Sequence, residues 1–210
     1  MLKTRPFSRR IFLNCPYDKA YEPILRSVLF TIAYLGYQPC LASMNIDSGR
    51  PRIGQILKLI KSCKYGIHDL SRLKASRQGE FYRLNMPYEL GLDIGCRIFK
   101  GGKHSQKRCL ILEEKPYRYQ KALSDMSGSD ILSHGGQPIR AVERVCEWLV
   151  PSRKQRELGP QGIWFKFNLF TSHLYDVLTE NGYTRKQINH LNPSNFLRHM
   201  NRWIADASAN

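Results

Sequence analysis

Acidic side chains are scarce in this chain. Its 210 residues hold 17 Asp and Glu against 33 Lys and Arg, a net charge of +16. The surplus is spread over the first 150 residues and the remainder alike, so it does not form a basic tail. Such a balance suits an anionic ligand or partner: a nucleotide, an acidic chain, or nucleic acid held by its phosphates. Nucleic acid is the less favoured of these, because no basic helix face and no RNA-binding signature is present. No run of about 18 apolar residues occurs, so no membrane span is expected. The segment Met1-Leu-Lys-Thr-Arg-Pro6 carries charge but no apolar stretch, which predicts no secretory leader. Cysteine is limited to six dispersed positions, mostly in apolar segments. They read as reduced, buried thiols of a cytoplasmic protein. None has Cys-x-x-Cys or Cys/His zinc spacing, so no metal is expected. Also missing are Gly-x-Gly-x-x-Gly, the Walker A pattern, Gly-x-Ser-x-Gly and His-Glu-x-x-His. Dehydrogenase, kinase, serine-hydrolase and zinc-protease readings thereby lose their usual support. No internal repeat is visible.

What is there alternates. Arg10 to Asn14 is a short apolar run closed by Cys-Pro, a buried strand. Tyr21, Ile24, Val28, Ile32 and Leu35 follow at helical spacing, with Gly36 as a stop. Gln38 to Ala42 is a weaker strand. Ile53, Ile56, Leu57, Ile60 and Cys63 mark a second helix, and Tyr65 to Leu70 a third strand. Residues 71–85 form a polar loop. Pro87 suits the first turn of a third helix with stripe Met86, Leu90, Ile94 and Ile98. Arg108 to Glu113 is a fourth strand, 124–137 is irregular, and Ile139, Val142, Val145 and Leu149 mark another helix. Strands alternating with helices over short connections predict an α/β fold: a parallel sheet with helices on both faces. Residues 1–150 would form this domain, 151–162 a linker, and 163–210 a small helical extension.

The candidate chemistry sits where strands end. With Pro87 as the first helical residue, Glu89 falls in the first helical turn, at the margin of the apolar stripe. That position also fits an ordinary helix-start glutamate. Asp69 ends the third strand, on the same sheet edge as the loop Asn14-Cys15-Pro16-Tyr17-Asp18. Ligands of open α/β sheets bind along that edge. His68 alternates away from Asp69 and reads as structural. Cys15 has no histidine placed to activate it.

Several segments together resemble a known superfamily. They are Phe12-Leu-Asn-Cys-Pro-Tyr-Asp18, Tyr65-Gly-Ile-His-Asp-Leu-Ser-Arg72 and Asn85-Met-Pro-Tyr-Glu-Leu-Gly91, with Tyr117-Arg-Tyr-Gln120 and Ser124 to Asp130 adding to them. Over roughly residues 8–150 the chain resembles the nucleoside 2-deoxyribosyltransferase-like and Toll/interleukin-1 receptor (TIR)-like domains, most closely the bacterial TIR-like proteins of antiphage defence. The resemblance implies a flavodoxin-like parallel sheet and cleavage of an N-glycosidic bond, most simply that between nicotinamide and ribose, with NAD as substrate and no other cofactor. It assigns catalysis to Glu89, with Asp69 as its partner. The pocket-lining loop maps to Asn14, Cys15, Pro16, Tyr17 and Asp18. Arg72 and Arg83 would meet the pyrophosphate, with Asn85 and Tyr88 beside the substrate. Self-assembly or a sensor protein is the expected partnership. Alternatives are a non-catalytic nucleotide-sensing or protein-interaction module and a nucleoside deoxyribosyltransferase or hydrolase. The TIR pattern Ser-x-Trp-Cys is replaced here by Leu84-Asn-Met-Pro, and the helices after residue 160 belong to neither parent pattern.

A carboxylate suits this chemistry, since bond breaking builds positive charge on the ribose. The nicotinamide of NAD leaves without a proton, whereas a nucleobase would need a donor.

Overall fold

A computed structural model describes residues 5–44, 49, 51–72, 84–149 and 153–209. Five strands form one parallel sheet: β1 (Arg10–Asn14), β2 (Gln38–Cys40), β3 (Tyr65–Asp69), β4 (Arg108–Glu113) and β5 (Ile131–Ser133), in the order β2-β1-β3-β4-β5. This is a flavodoxin-like α/β arrangement, whose order reverses between β1 and β3. Pro39 is accommodated because β2 is an edge strand.

Alternation along the strands sends side chains to two layers. Ile11, Leu13, Ile67, Leu110 and Leu112 enter a core with α1 (Glu22–Tyr34) and α4 (Pro138–Trp148). On the other face, Phe12 packs with Ile56 and Ile60 of α2 (Arg52–Ser62), and Ile111 with Met86 and Leu90 of α3 (Asn85–Phe99).

Four expectations are corrected. Helix α3 starts at Asn85, ahead of Pro87, so Glu89 lies in its second turn. Its buried residues are Met86, Glu89, Leu90 and Asp93, whereas Ile98 is exposed. Two acids therefore share the inner face with Met86 and Leu90; Ile94 packs half-buried against it, and Ile98 lies outside it. The irregular 124–137 stretch contains β5, too short at three residues to show a period. The region read as a linker is helical from Arg153: α5 runs Arg153–Glu180 and breaks only at Gly159, where φ is 64°. Glycine tolerates that conformation, and Pro160 then starts the second segment.

Nor does the C-terminal part hang free. Ile163, Phe167, Phe170 and Leu174 of α5, Ile188 of α6 (Arg185–Asn189), and Phe196, Leu197 and Met200 of α7 (Pro193–Ala209) belong to the same core as β1 and α1. Phe30 of α1 stacks on Phe170 at 5.6 Å and lies 5.5 Å from Phe167 and 6.0 Å from Trp203. Aromatic pairs of this kind add roughly 0.5–1.5 kcal/mol each beyond burial. No helix among the described residues is long and apolar enough to cross a membrane.

Candidate functional site

Four carboxylates are buried along α3 and the carboxyl edge of the sheet: Asp69, Glu89, Asp93 and Glu113. An ionised carboxylate costs several kcal/mol to bury unless donors or cations replace its water. The four differ in how that cost is met.

Asp69 is fully enclosed and saturated. Its Oδ1 accepts the Ser71 N–H at 2.9 Å and the Ser71 hydroxyl, and its Oδ2 accepts the Tyr21 hydroxyl at 2.7 Å and His134 Nε2 at 3.0 Å. The Gly136 N–H donates to His134 Nδ1 at 3.0 Å, so Nε2 carries the proton given to Asp69. Burial raises the Asp69 carboxyl, but the hydrogen bonds from His134, Ser71 and Tyr21 outweigh it and hold the group below its ordinary value. Every favourable acceptor direction is in use.

Asp93 sits across the sheet, 3.0 Å from His68 Nε2 and 2.9 Å from Lys107 Nζ. Lys107 also donates to the Ile60 carbonyl at 2.9 Å and the Cys63 carbonyl at 2.5 Å. His68, Asp93 and Cys109 bring ligand atoms within 4.8 Å of one another, a geometry that could hold a metal. The Lys107 ammonium already supplies the positive charge there and would repel a second cation. Glu113 pairs with Arg118, which reaches on to the Ser71 carbonyl at 2.8 Å. Tyr117 takes a left-handed φ of 62° as the chain turns to bring Arg118 back.

Glu89 is the exception. It is 7% exposed, yet among the described residues no hydrogen bond or ion pair meets its carboxylate, and Arg52 acts on it only through its charge. Burial raises its pKa, and the charge of Arg52 opposes that in part. The Cys15 thiol lies within electrostatic reach of Asp69, Glu89 and Asp18. Burial and these three carboxylates push that thiol well up, keeping it protonated and a poor nucleophile.

The other expected residues divide. Asn14 is buried; its Nδ2 donates to the Met86 carbonyl at 2.9 Å and meets His68 Nδ1 at 3.1 Å, tying β1 to the start of α3. Pro16 is buried. Asp18 receives Arg72 through two contacts of 2.9 Å, so Arg72 is clamped at the sheet edge and not held out for a pyrophosphate. Tyr17 is 41% exposed, and its hydroxyl end feels Glu89, Ser43 and Arg52. Asn85 and Tyr88 are exposed on α3. Arg83 lies outside the described residues, as does most of its loop.

Sequence reading missed Arg52, the charge nearest Glu89 in effect, and His134, which anchors Asp69. His134 had a signal: it follows a strand and precedes Gly135-Gly136, both at positive φ. It also missed a cavity of about 400 Å³ bounded by Tyr17, Ser43 and Arg52 on one side and by His190, Leu191 and Phe196 on the other.

Fold and site together define a flavodoxin-like α/β protein in which one buried carboxylate, Glu89, has no partner among the described residues beside the carboxyl ends of the strands. Compared with known proteins, the chain matches no protein-family model, no curated protein and no solved structure.

Proposed function

We propose that the protein cleaves an N-glycosidic bond, with NAD as the substrate and Glu89 as the carboxylate that faces the ribose as positive charge develops. One observation carries this reading: of four buried carboxylates, only Glu89 lacks a partner among the described residues. Its raised pKa reflects the cost of holding charge there. As the bond breaks, the positive charge of the nicotinamide ring passes to the ribose, and a carboxylate facing the ribose gains its partner most strongly at that moment, which is how binding energy becomes rate.

Asp69 does not share the ribose in this reading. It orients Tyr21, Ser71 and His134 and shapes the edge from within. The Cys15 thiol, raised by burial and by the charges of Asp69, Glu89 and Asp18, stays protonated. The reading fits a TIR-like domain of bacterial defence, as the resemblance suggested.

NAD turnover by the full chain, followed by nicotinamide release, tests the proposal. Glu89→Gln is expected to lose roughly 100-fold or more of the rate, with circular dichroism unchanged, while the exposed Glu180→Ala keeps it. Turnover that survives Glu89→Gln refutes the role.

A second reading is a non-catalytic nucleotide-binding module. It is favoured by the commitment of Asp69 and Arg72 to internal partners. Calorimetric binding of NAD without nicotinamide release at any protein concentration would select it.

A further inference from the structure

We propose that the C-terminal helices complete a nucleoside-phosphate pocket: the cavity between the β1–α1 loop and residues 190–196 binds the base and phosphate of a nucleotide. The inference rests on the reading of Glu89 for its substrate class, and on the cavity itself for its place.

The cavity measures about 400 Å³, within the range of small-ligand sites. Its inner walls are apolar: Leu25 and Leu29 from α1, and Leu191, Pro193 and Phe196 from the C-terminal segment. Facing apolar walls suit a planar base. The rim is charged, and its charges are unequally engaged. Asp18 is neutralised by Arg72 at 2.9 Å, and Glu22 by Arg26 at 2.7 Å. Lys19 and Arg52 also line the cavity, and among the described residues neither has an ion-pair partner. The lining therefore carries a net positive charge beside apolar walls, the combination that receives a phosphate beside a base.

Glu89 does not line the slot, but it lies within electrostatic reach of two residues that do. Tyr17, Ser43 and Arg52 line the cavity, and Glu89 acts on Tyr17 and is acted on by Arg52.

Arg26 holds the two walls in register. From α1 it donates to the Ile188 carbonyl at 3.0 Å and the Asn189 carbonyl at 2.9 Å, and its guanidinium lies 5.0 Å over the Phe196 ring. Arg26 is thus a positioning residue, spending its charge on the extension and not on the ligand.

Calorimetric titration of full-length Glu89→Gln with AMP tests the pocket. AMP is expected to bind. Arg52→Ala and Leu191→Trp, each added to that background, are expected to weaken it roughly tenfold or more, with the melting transition retained. Leu191→Trp alters no charge, so nonspecific attraction to a +16 chain would survive it, and that outcome overturns the proposal. So does absence of AMP binding. If AMP binds in the slot while NAD is never cleaved, the pocket stands and the glycosidase reading falls. If NAD is cleaved while AMP ignores both substitutions, the reverse holds.

Discussion

A carboxylate taken out of water is either matched by donors or carries a standing cost. Asp69 and Asp93 are matched and held below their ordinary pKa; Glu89, with no partner among the described residues, is held above it by burial, as is Glu113, whose Oε2 has no hydrogen-bond partner among the described residues. The two directions make opposite predictions. Ionised Glu89 is less favourable folded than unfolded, so its penalty is present at neutral pH and disappears as pH falls below about 4.5, where both states bind the proton. Glu89→Gln is therefore expected to melt higher than the parent protein at pH 7, with the gap closing by pH 4. A lower melting temperature at pH 7 would mean that Glu89 is a structural anchor. Asp69 and Asp93 behave the other way: their stabilisation holds above about 3.8 and drains as pH falls further. The signal for Glu89 was readable in sequence as an acid near the start of a helix that follows the strand ending in Asp69. Its isolation was not, because that depends on which donors α2 and the β1–α1 loop bring within reach.

At the scale of elements, β3 and α3 meet through a pair of buried groups that leave no space to spare. A Cβ built on Gly66 would stand 2.2 Å from Asp93 Oδ2 and 2.7 Å from His68 Nε2. Glycine is needed there for clearance, not for backbone freedom. Gly66→Ala is expected to cost about 1–3 kcal/mol by overpacking, more if the Asp93–His68 contact opens. A urea melt with an unchanged midpoint would refute this. The strands β1, β3 and β4 were legible as continuous apolar runs, and α1 as a clean apolar stripe. Helix α3 was legible in existence but not in facing, since its buried side includes Glu89 and Asp93. Hydrophobic periodicity treats every acid as solvent-facing; paired acids in an interior escape it.

For the molecule as a whole, the core does not stop at residue 150. Phe30, Phe170, Phe196 and Trp203 form one aromatic cluster across α1, α5 and α7. Cutting after residue 150 would expose the face of α1 that these rings cover. Full-length protein is expected to unfold in one cooperative transition, and fragment 1–150 to aggregate or melt without cooperativity. A fragment that unfolds as sharply as the full chain would show that the extension is separable. The linker expectation arose from prolines and glycines at 151–162, which usually punctuate structure. Here Gly159 and Pro160 redirect a helix without ending its packing.

By itself, the order of residues determined the parallel α/β class, the strands near the site and the segment that carries Glu89. Those are local properties, written in periodicity and in turn chemistry. Tertiary structure alone decided that Asp69 is saturated, that Arg72 belongs to Asp18, that Glu89 has no partner among the described residues, and that residues 190–196 face the β1–α1 loop across a cavity. Each of these depends on distances between elements far apart in the chain, which local pattern does not encode.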